Sequence, residues 1–259
     1  CALPILKEVR VQEGERAERT VVEAEVFPDL EKIREIFDQH DISRVCNLAA
    51  QAGVRYSIEN PFAYQKSNLE GFLNIIEVSK NHDVDNFVYA SSSSVYGNNK
   101  KVPFSTEDNV DHPISLYAAT KKSNELIAHS YSHLFDLPCT GHRFFTVYGP
   151  FGRPDMALFI FTRNIVNDEP IEVYNYGDMK RDFTYIDDIV DGLISSLDKP
   201  FDYEIFNLGN NETVKLMNFV HLIEEKLGKE ADIQYKPMQP GDVPETYAKI
   251  EKSKEKLGY

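Results

Sequence analysis

Residues 86–97, NFVYASSSSVYG, and, after a polar interval, residues 114–122, ISLYAATKK, decide how the chain is read. Phe87, Val88, Tyr89 and Ala90 form a short apolar run between Asn86 and a serine cluster, the pattern of a buried parallel strand. The hydroxyls of Ser91 to Ser94 fall where that strand ends, and open α/β sheets place their ligands at that end. A helix through LYAATKK puts Tyr117 and Lys121, at i and i+4, on one face one turn apart. A phenol, with an ordinary pKa of about 10, is a poor base near neutrality. A cation beside it favours the phenolate, and a serine hydroxyl shares or relays the proton. Such a trio suits removal of a proton from a sugar or alcohol hydroxyl while hydride leaves the adjoining carbon, and nicotinamide is the usual acceptor. The spacing alone is weak, because Tyr176 and Lys180 repeat it in a Gly-Asp turn where no helix is expected. The strand and serines ahead of Tyr117 separate the first copy from an ordinary exposed helix.

Outward from this stretch, strands and helices alternate. TVVEAEV (residues 20–26) reads as a strand, and Pro28 and Asp29 open a helix with Leu30, Ile33, Ile36 and Phe37 on one face. RVCNLA (44–49) is a second buried strand in which Cys46 reads as a small core residue. The small residues of AAQAGVRYS (49–57) allow a close approach of backbone to ligand. A helix is expected from Asn60-Pro61 to about Asn81, another from about Ile114 to Phe135, and a strand at CTGHRFF (139–145). Beyond it the alternation loosens into helices near 156–167, 187–197 and 214–227 and strands at IEVY, EIFNLG and ADIQYKP. The pattern predicts an α/β, doubly wound parallel sheet. Residues 1–150 form its cofactor half, and residues 151–259 a smaller α+β substrate-binding region interleaved with it.

Length and composition fit an ordinary globular chain with ample core. A net charge of −14 argues against general nucleic-acid binding while leaving room for local phosphate sites. No apolar run approaches the ~18 residues of a membrane span. Cys1, Cys46 and Cys139 are odd in number and far apart, so neither a zinc site nor a disulfide framework follows, and a reducing cytoplasm fits. No metal is expected.

ASSSSVYG (90–97), SLYAATKK (115–122), RFFTVYGPFGRPDMA (143–157), RDFTYIDD (181–188) and QPGDVPETYA (239–248) occur in this order. Together they resemble the extended short-chain dehydrogenase/reductase family, and within it the nucleotide-sugar 4-epimerases acting on UDP-glucuronate. The similarity runs from about Val21 to Tyr259. It implies NAD as cofactor, a UDP-sugar as substrate, and a homodimer paired through the helix that bears the tyrosine motif and its neighbour.

The resemblance also assigns residues. Tyr117 becomes the general base at the sugar O4, Lys121 the group that holds the nicotinamide ribose and depresses the phenol, and Ser92 the catalytic hydroxyl. Ala49, Ala50, Asn68, Ala90 and Phe144 border the cofactor. Arg55, Ser91, Ser92, Ser93 and Thr146 face the sugar. Arg153 and Arg181 meet diphosphate and uridine, where guanidinium geometry suits phosphate. Asp242 meets the ribose, although Gln239 stands where many relatives carry arginine. Related dehydratases have an acidic pair after the catalytic hydroxyl; Ser93 and Ser94 stand here instead, which favours simple epimerisation.

One expected motif is absent from the sequence. No glycine-rich turn follows a first strand, so against the family the chain reads as lacking the opening βαβ unit and a last helix. A chain that binds nucleotide-sugar or a partner without turnover is therefore the second expectation.

Overall fold

A computed structural model describes residues 28–259; the strand expected at 20–26 lies outside them. The chain opens with helix α1 (Leu30–Gln39), which Asp29 caps by accepting the Lys32 backbone N–H at 3.2 Å. Strand β1 (Arg44–Asn47) follows, then the short helices α2 (Tyr56–Glu59) and α3 (Pro61–Tyr64). A π-helical stretch, Gln65–Glu70, leads directly into α4 (Gly71–Asn81), so the helix expected over 60–81 is present with one widened turn inside it. Then come β2 (Asn86–Ser92), a 3₁₀ turn at Ser93–Tyr96, α5 (Leu116–Phe135), β3 (Cys139–Phe144) and β4 (Thr146–Tyr148). The second half supplies α6 (Ala157–Val166), β5 (Ile171–Val173), β6 (Lys180–Arg181), β7 (Phe183–Tyr185), α7 (Ile186–Asp198) and β8 (Tyr203–Leu208). It ends with β9 (Val214–Lys215), α8 (Leu216–Leu227), β10 (Ile233–Tyr235) and α9 (Glu251–Leu257).

The main sheet has the order β1-β2-β3-β8, every pair parallel. β8 enters it from the second half of the sequence, so the two halves share one sheet. Burial explains the layers. Phe87 and Tyr89 on β2 pack with Ile33, Phe72, Ile76 and Ala128, which puts α1, α4 and α5 on one face. Val88, Phe206 and Leu208 pack with Ile189, Leu193 and Leu257, which puts α7 and α9 on the other. Gly141 is required here: a Cβ on it would stand 2.6 Å from the Tyr89 ring and from Ile205. A separate cluster around Phe161, Ile171, Val173 and Val220 joins α6, α8 and the β5-β10 pair.

Cys46 corrects its expected place in the core. β1 alternates, with Val45 and Asn47 buried, and Cys46 lies exposed on the opposite face. Among the described residues no helix is long and apolar enough to cross a membrane, and no group of three or more metal-ligating side chains assembles.

Candidate active site

The site forms where β2 runs out against the first two turns of α5. Ser115 caps α5 by accepting the Ala118 N–H at 3.1 Å, which starts the helix two residues before Tyr117. Ser92 caps the 3₁₀ turn by accepting the Ser94 N–H at 3.1 Å, and the same hydroxyl stands beside the Tyr117 phenol and favours its ionised form. Lys121 is 3 % exposed and donates through Nζ to the Ala90 carbonyl at 2.9 Å. The three residues singled out for chemistry therefore converge.

Their electrostatics differ from expectation in one respect. Burial pushes the Tyr117 phenol above its ordinary value, and the Ser92 hydroxyl and the Arg153 guanidinium oppose that rise. A guanidinium, that of Arg153 from the loop after β4, acts on the phenol. Burial alone pulls Lys121 down to about 8. Arg153 is itself paired with Asp155, Nε to Oδ1 at 3.0 Å.

Tyr64, which the sequence did not single out, completes this centre. Its ring meets Tyr117 edge-on at 6.1 Å, and its hydroxyl donates to the carbonyls of Ala52 and Gly53 at 2.9 and 2.5 Å. Gly53 has φ +103°, a conformation open to glycine, and a Cβ there would lie 3.6 Å from the Tyr64 hydroxyl and 3.8 Å from Arg153. Asn68, 1 % exposed, holds the same loop from the other side. It accepts the Gln51 N–H at 2.8 Å and donates to the Gln51 carbonyl and the Thr120 hydroxyl, each at 3.0 Å. Ala49 and Ala50 lie half-buried at the start of this loop, and Ala49 N–H donates to Asn47 at 3.2 Å.

Ser91 is a correction. The strand's alternation turns it away from Ser92, and its hydroxyl donates to the buried Glu125 carboxylate at 2.6 Å, so it is committed to the interior rather than available to a sugar. Ser93 and Thr146 are half-buried, and their hydroxyls make no hydrogen bond among the described residues. Thr146 opens β4, its N–H donating to the Asp182 carbonyl at 3.1 Å. Phe144 is paired in register with Ser92 and packs partly against the α7 face, stacked on His142 at 6.1 Å.

A second cluster is built from loops. Arg55 lies 3.9 Å from Asp242 and places its guanidinium 5.0 Å over the Tyr174 ring. The Tyr174 hydroxyl donates to Glu172. Arg181 donates to the carbonyls of Lys180 and Pro244 at 2.8 and 3.2 Å and feels the Asp242 charge. Tyr174, which the sequence did not single out, thus joins Arg55, Arg181 and Asp242. Asp182, fully buried, anchors the surrounding segments by accepting the N–H groups of Asn210, Ala248 and Asn211 at 2.7, 3.1 and 3.2 Å.

A dinucleotide fits the first cluster. Lys121 is buried with one acceptor among the described residues, leaving two of its N–H donors for a ribose diol, and the small residues 49–53 admit close backbone approach. A parallel α/β sheet with Tyr, Lys and Ser at one strand end defines an oxidoreductase-type class of enzyme that works on a hydroxyl beside a nicotinamide.

Comparison with known proteins carries this one step further. Residues 7–209 match the family described as "NAD dependent epimerase/dehydratase family", and the chain belongs to it. It is 57 % identical to Protein CapI of Staphylococcus aureus over 89 % of this chain and 73 % of that protein. It is 45 % identical to UDP-glucuronate 4-epimerase 4 of Arabidopsis thaliana over 99 % of this chain and 62 % of that enzyme. Among solved structures, UDP-glucuronic acid 4-epimerase from Bacillus cereus, in complex with UDP-glucuronic acid and NAD, superposes with a TM-score of 0.82. The two are 33 % identical across 89 % of this chain and 74 % of that one.

Proposed function

We propose that the protein interconverts the C4 epimers of a UDP-sugar, most specifically UDP-glucuronate and UDP-galacturonate. The observation that carries this reading is the convergence of Tyr117, Ser92 and Lys121 at the end of β2. Relatives named UDP-glucuronate 4-epimerase support the sugar. Lys121 would hold NAD at its ribose, with the loop that Asn68 and Tyr64 fix along its border, and the cofactor would supply the acceptor and donor of hydride at C4. Tyr117 removes the O4 proton, with Ser92 sharing it and Arg153 stabilising the phenolate, and later gives the proton back. Ser93 and Thr146 offer free hydroxyls for the sugar carboxylate. No carboxylate stands at Ser93 or Ser94 to drive elimination of water, which favours epimerisation over dehydration. Arg181 and Asp242 bind the nucleotide end, and Arg55, set at the sugar by the resemblance, joins them because it lies beside Asp242 and over Tyr174.

The outer faces of α4 and α5 carry exposed Leu73, Leu126, Leu134 and Phe135, which supports a homodimer paired there, measurable by sedimentation. Unpaired Cys46 and Cys139 suit a cytoplasmic setting.

Calorimetric titration with NAD, followed by chromatography of UDP-glucuronate incubated with the protein, tests the reading. Micromolar NAD binding and appearance of UDP-galacturonate, lost in Tyr117→Phe, are expected. No NAD binding up to millimolar overturns it, and turnover confined to other UDP-sugars reassigns the substrate.

A further inference from the structure

Behind the end of β2 lies a buried polar chain that the reaction above does not use. Glu125 sits one turn past Lys121 on α5 and is 1 % exposed. Its carboxylate accepts Ser91 Oγ at 2.6 Å and both Nε and Nη2 of Arg143 at 2.9 and 2.8 Å, with Lys122 Nζ at 3.6 Å. Arg143 is the residue on β3 in register with Ser91 and is 3 % exposed. Its guanidinium lies 4.9 Å over the Tyr96 ring, whose hydroxyl donates to Asn207 on β8 at 2.6 Å. Tyr89 and Tyr203 complete the ring of titratable groups about Glu125, and the Tyr203 hydroxyl donates to the Glu125 backbone carbonyl at 3.0 Å.

The pattern across the β2–α5 seam is orderly. Two successive strand residues are bonded to successive turns of one helix, Ala90 O with Lys121 and Ser91 Oγ with Glu125, and the next, Ser92, stands beside Tyr117 on the same helix. We propose that Ser91 and Glu125 are positioning residues, clamping the strand end so that the hydroxyl of Ser92 stays beside the phenol of Tyr117. Energetics favour this over a purely stabilising role. A buried Arg–carboxylate pair is often no more stable than an apolar replacement of equal volume, so its presence here fits a role in fixing geometry. The inference rests on Tyr117 being the general base.

Ser91→Ala tests it, because it removes the strand-to-helix bond while leaving the Glu125–Arg143 pair intact. The expected result is kcat about 10-fold lower, a fraction of the general-base effect. KM and NAD affinity are expected to stay within about twofold. The Tyr117 phenol should titrate higher, since it loses part of the Ser92 influence that favours the phenolate. Arg153 and Tyr64, the charged and titratable groups beside this phenol, and Lys121, one turn along the same helix, are left in place. The titration is read by NMR of ring-labelled tyrosine, with the Tyr117 signal assigned from Tyr117→Phe. Ser91→Thr, which keeps a hydroxyl, is expected to restore both values. An unchanged kcat and phenol titration in Ser91→Ala overturns the proposal, and so does a loss that falls on KM or NAD affinity. Should the protein turn over no UDP-sugar, the epimerase reading fails while the phenol titration still decides the positioning role.

Discussion

The strand-end cluster and the loop cluster solve different problems with different materials. Around Tyr117, the side chains that matter are carried by β2, α5 and the π-containing helix, and Asn68, Ser92 and Lys121 are all buried. Around Asp242 they come from loops and two-residue strands, and the Arg55 side chain is 55 % exposed at 3.9 Å from its carboxylate partner. The first region holds atoms to a fixed geometry, as proton transfer requires. The second presents charge to water, where a phosphate or ribose needs recognition more than alignment. The contrast teaches where a substitution should act: on kcat at the strand end, on KM at the loops.

Tyr117→Phe should break the comparison most sharply if it is wrong. A fall in kcat of about 10²–10⁴ is expected with KM nearly unchanged, measured by steady-state turnover. Asp182→Ala strikes the hinge between the two regions, because three backbone N–H groups lose their buried acceptor. A loss of about 3 kcal/mol in urea unfolding is expected. Lys121→Met should go the other way. The folded-state pKa of Lys121 lies near 8, below the unfolded value, so the buried ammonium costs stability at all pH below about 8. This variant is therefore expected to stabilise the fold by about 3 kcal/mol at pH 7, a gain that fades as pH rises from 8 towards 10.5, while activity is lost. Thermal melts across that range check the sign. Arg55→Ala, at an exposed ion pair, should raise KM about fivefold at low salt, less at high salt, and leave kcat unchanged.

The sheet and the meeting of Tyr117, Lys121 and Ser92 at one strand end were legible because their signals are local. β2 is an apolar run, α5 carries Tyr117 and Lys121 at helical spacing, and the alternation of the two element types dictates a parallel sheet. The short strands β4, β6, β7 and β9 were not, since two or three residues carry no period. The C-terminal helix α9, with the sequence EKSKEKL, is too short and polar to announce itself. Tyr64 reads as one more aromatic on an amphipathic helix, and only the folded loop reveals two carbonyls waiting for its hydroxyl. Asp182 was eclipsed by its neighbour Arg181, because its task is to gather N–H groups 28, 29 and 66 residues away. Ser91 was misassigned for the same reason: its partner Glu125 lies 34 residues on.

The widened turn at Gln65–Glu70 has a consequence for how this segment tolerates change. A regular helix advances about 100° per residue, so deleting one residue there would restore an ordinary α-helix and swing Asn68 by roughly that angle relative to α4. Its carboxamide would leave Gln51 and Thr120, and the loop after β1 would lose its tether. Substitutions across the outer face of this helix should be absorbed easily, whereas a change in its residue count should not. At this point in the chain, the fold depends on a length more than on the identity of the residues that fill it.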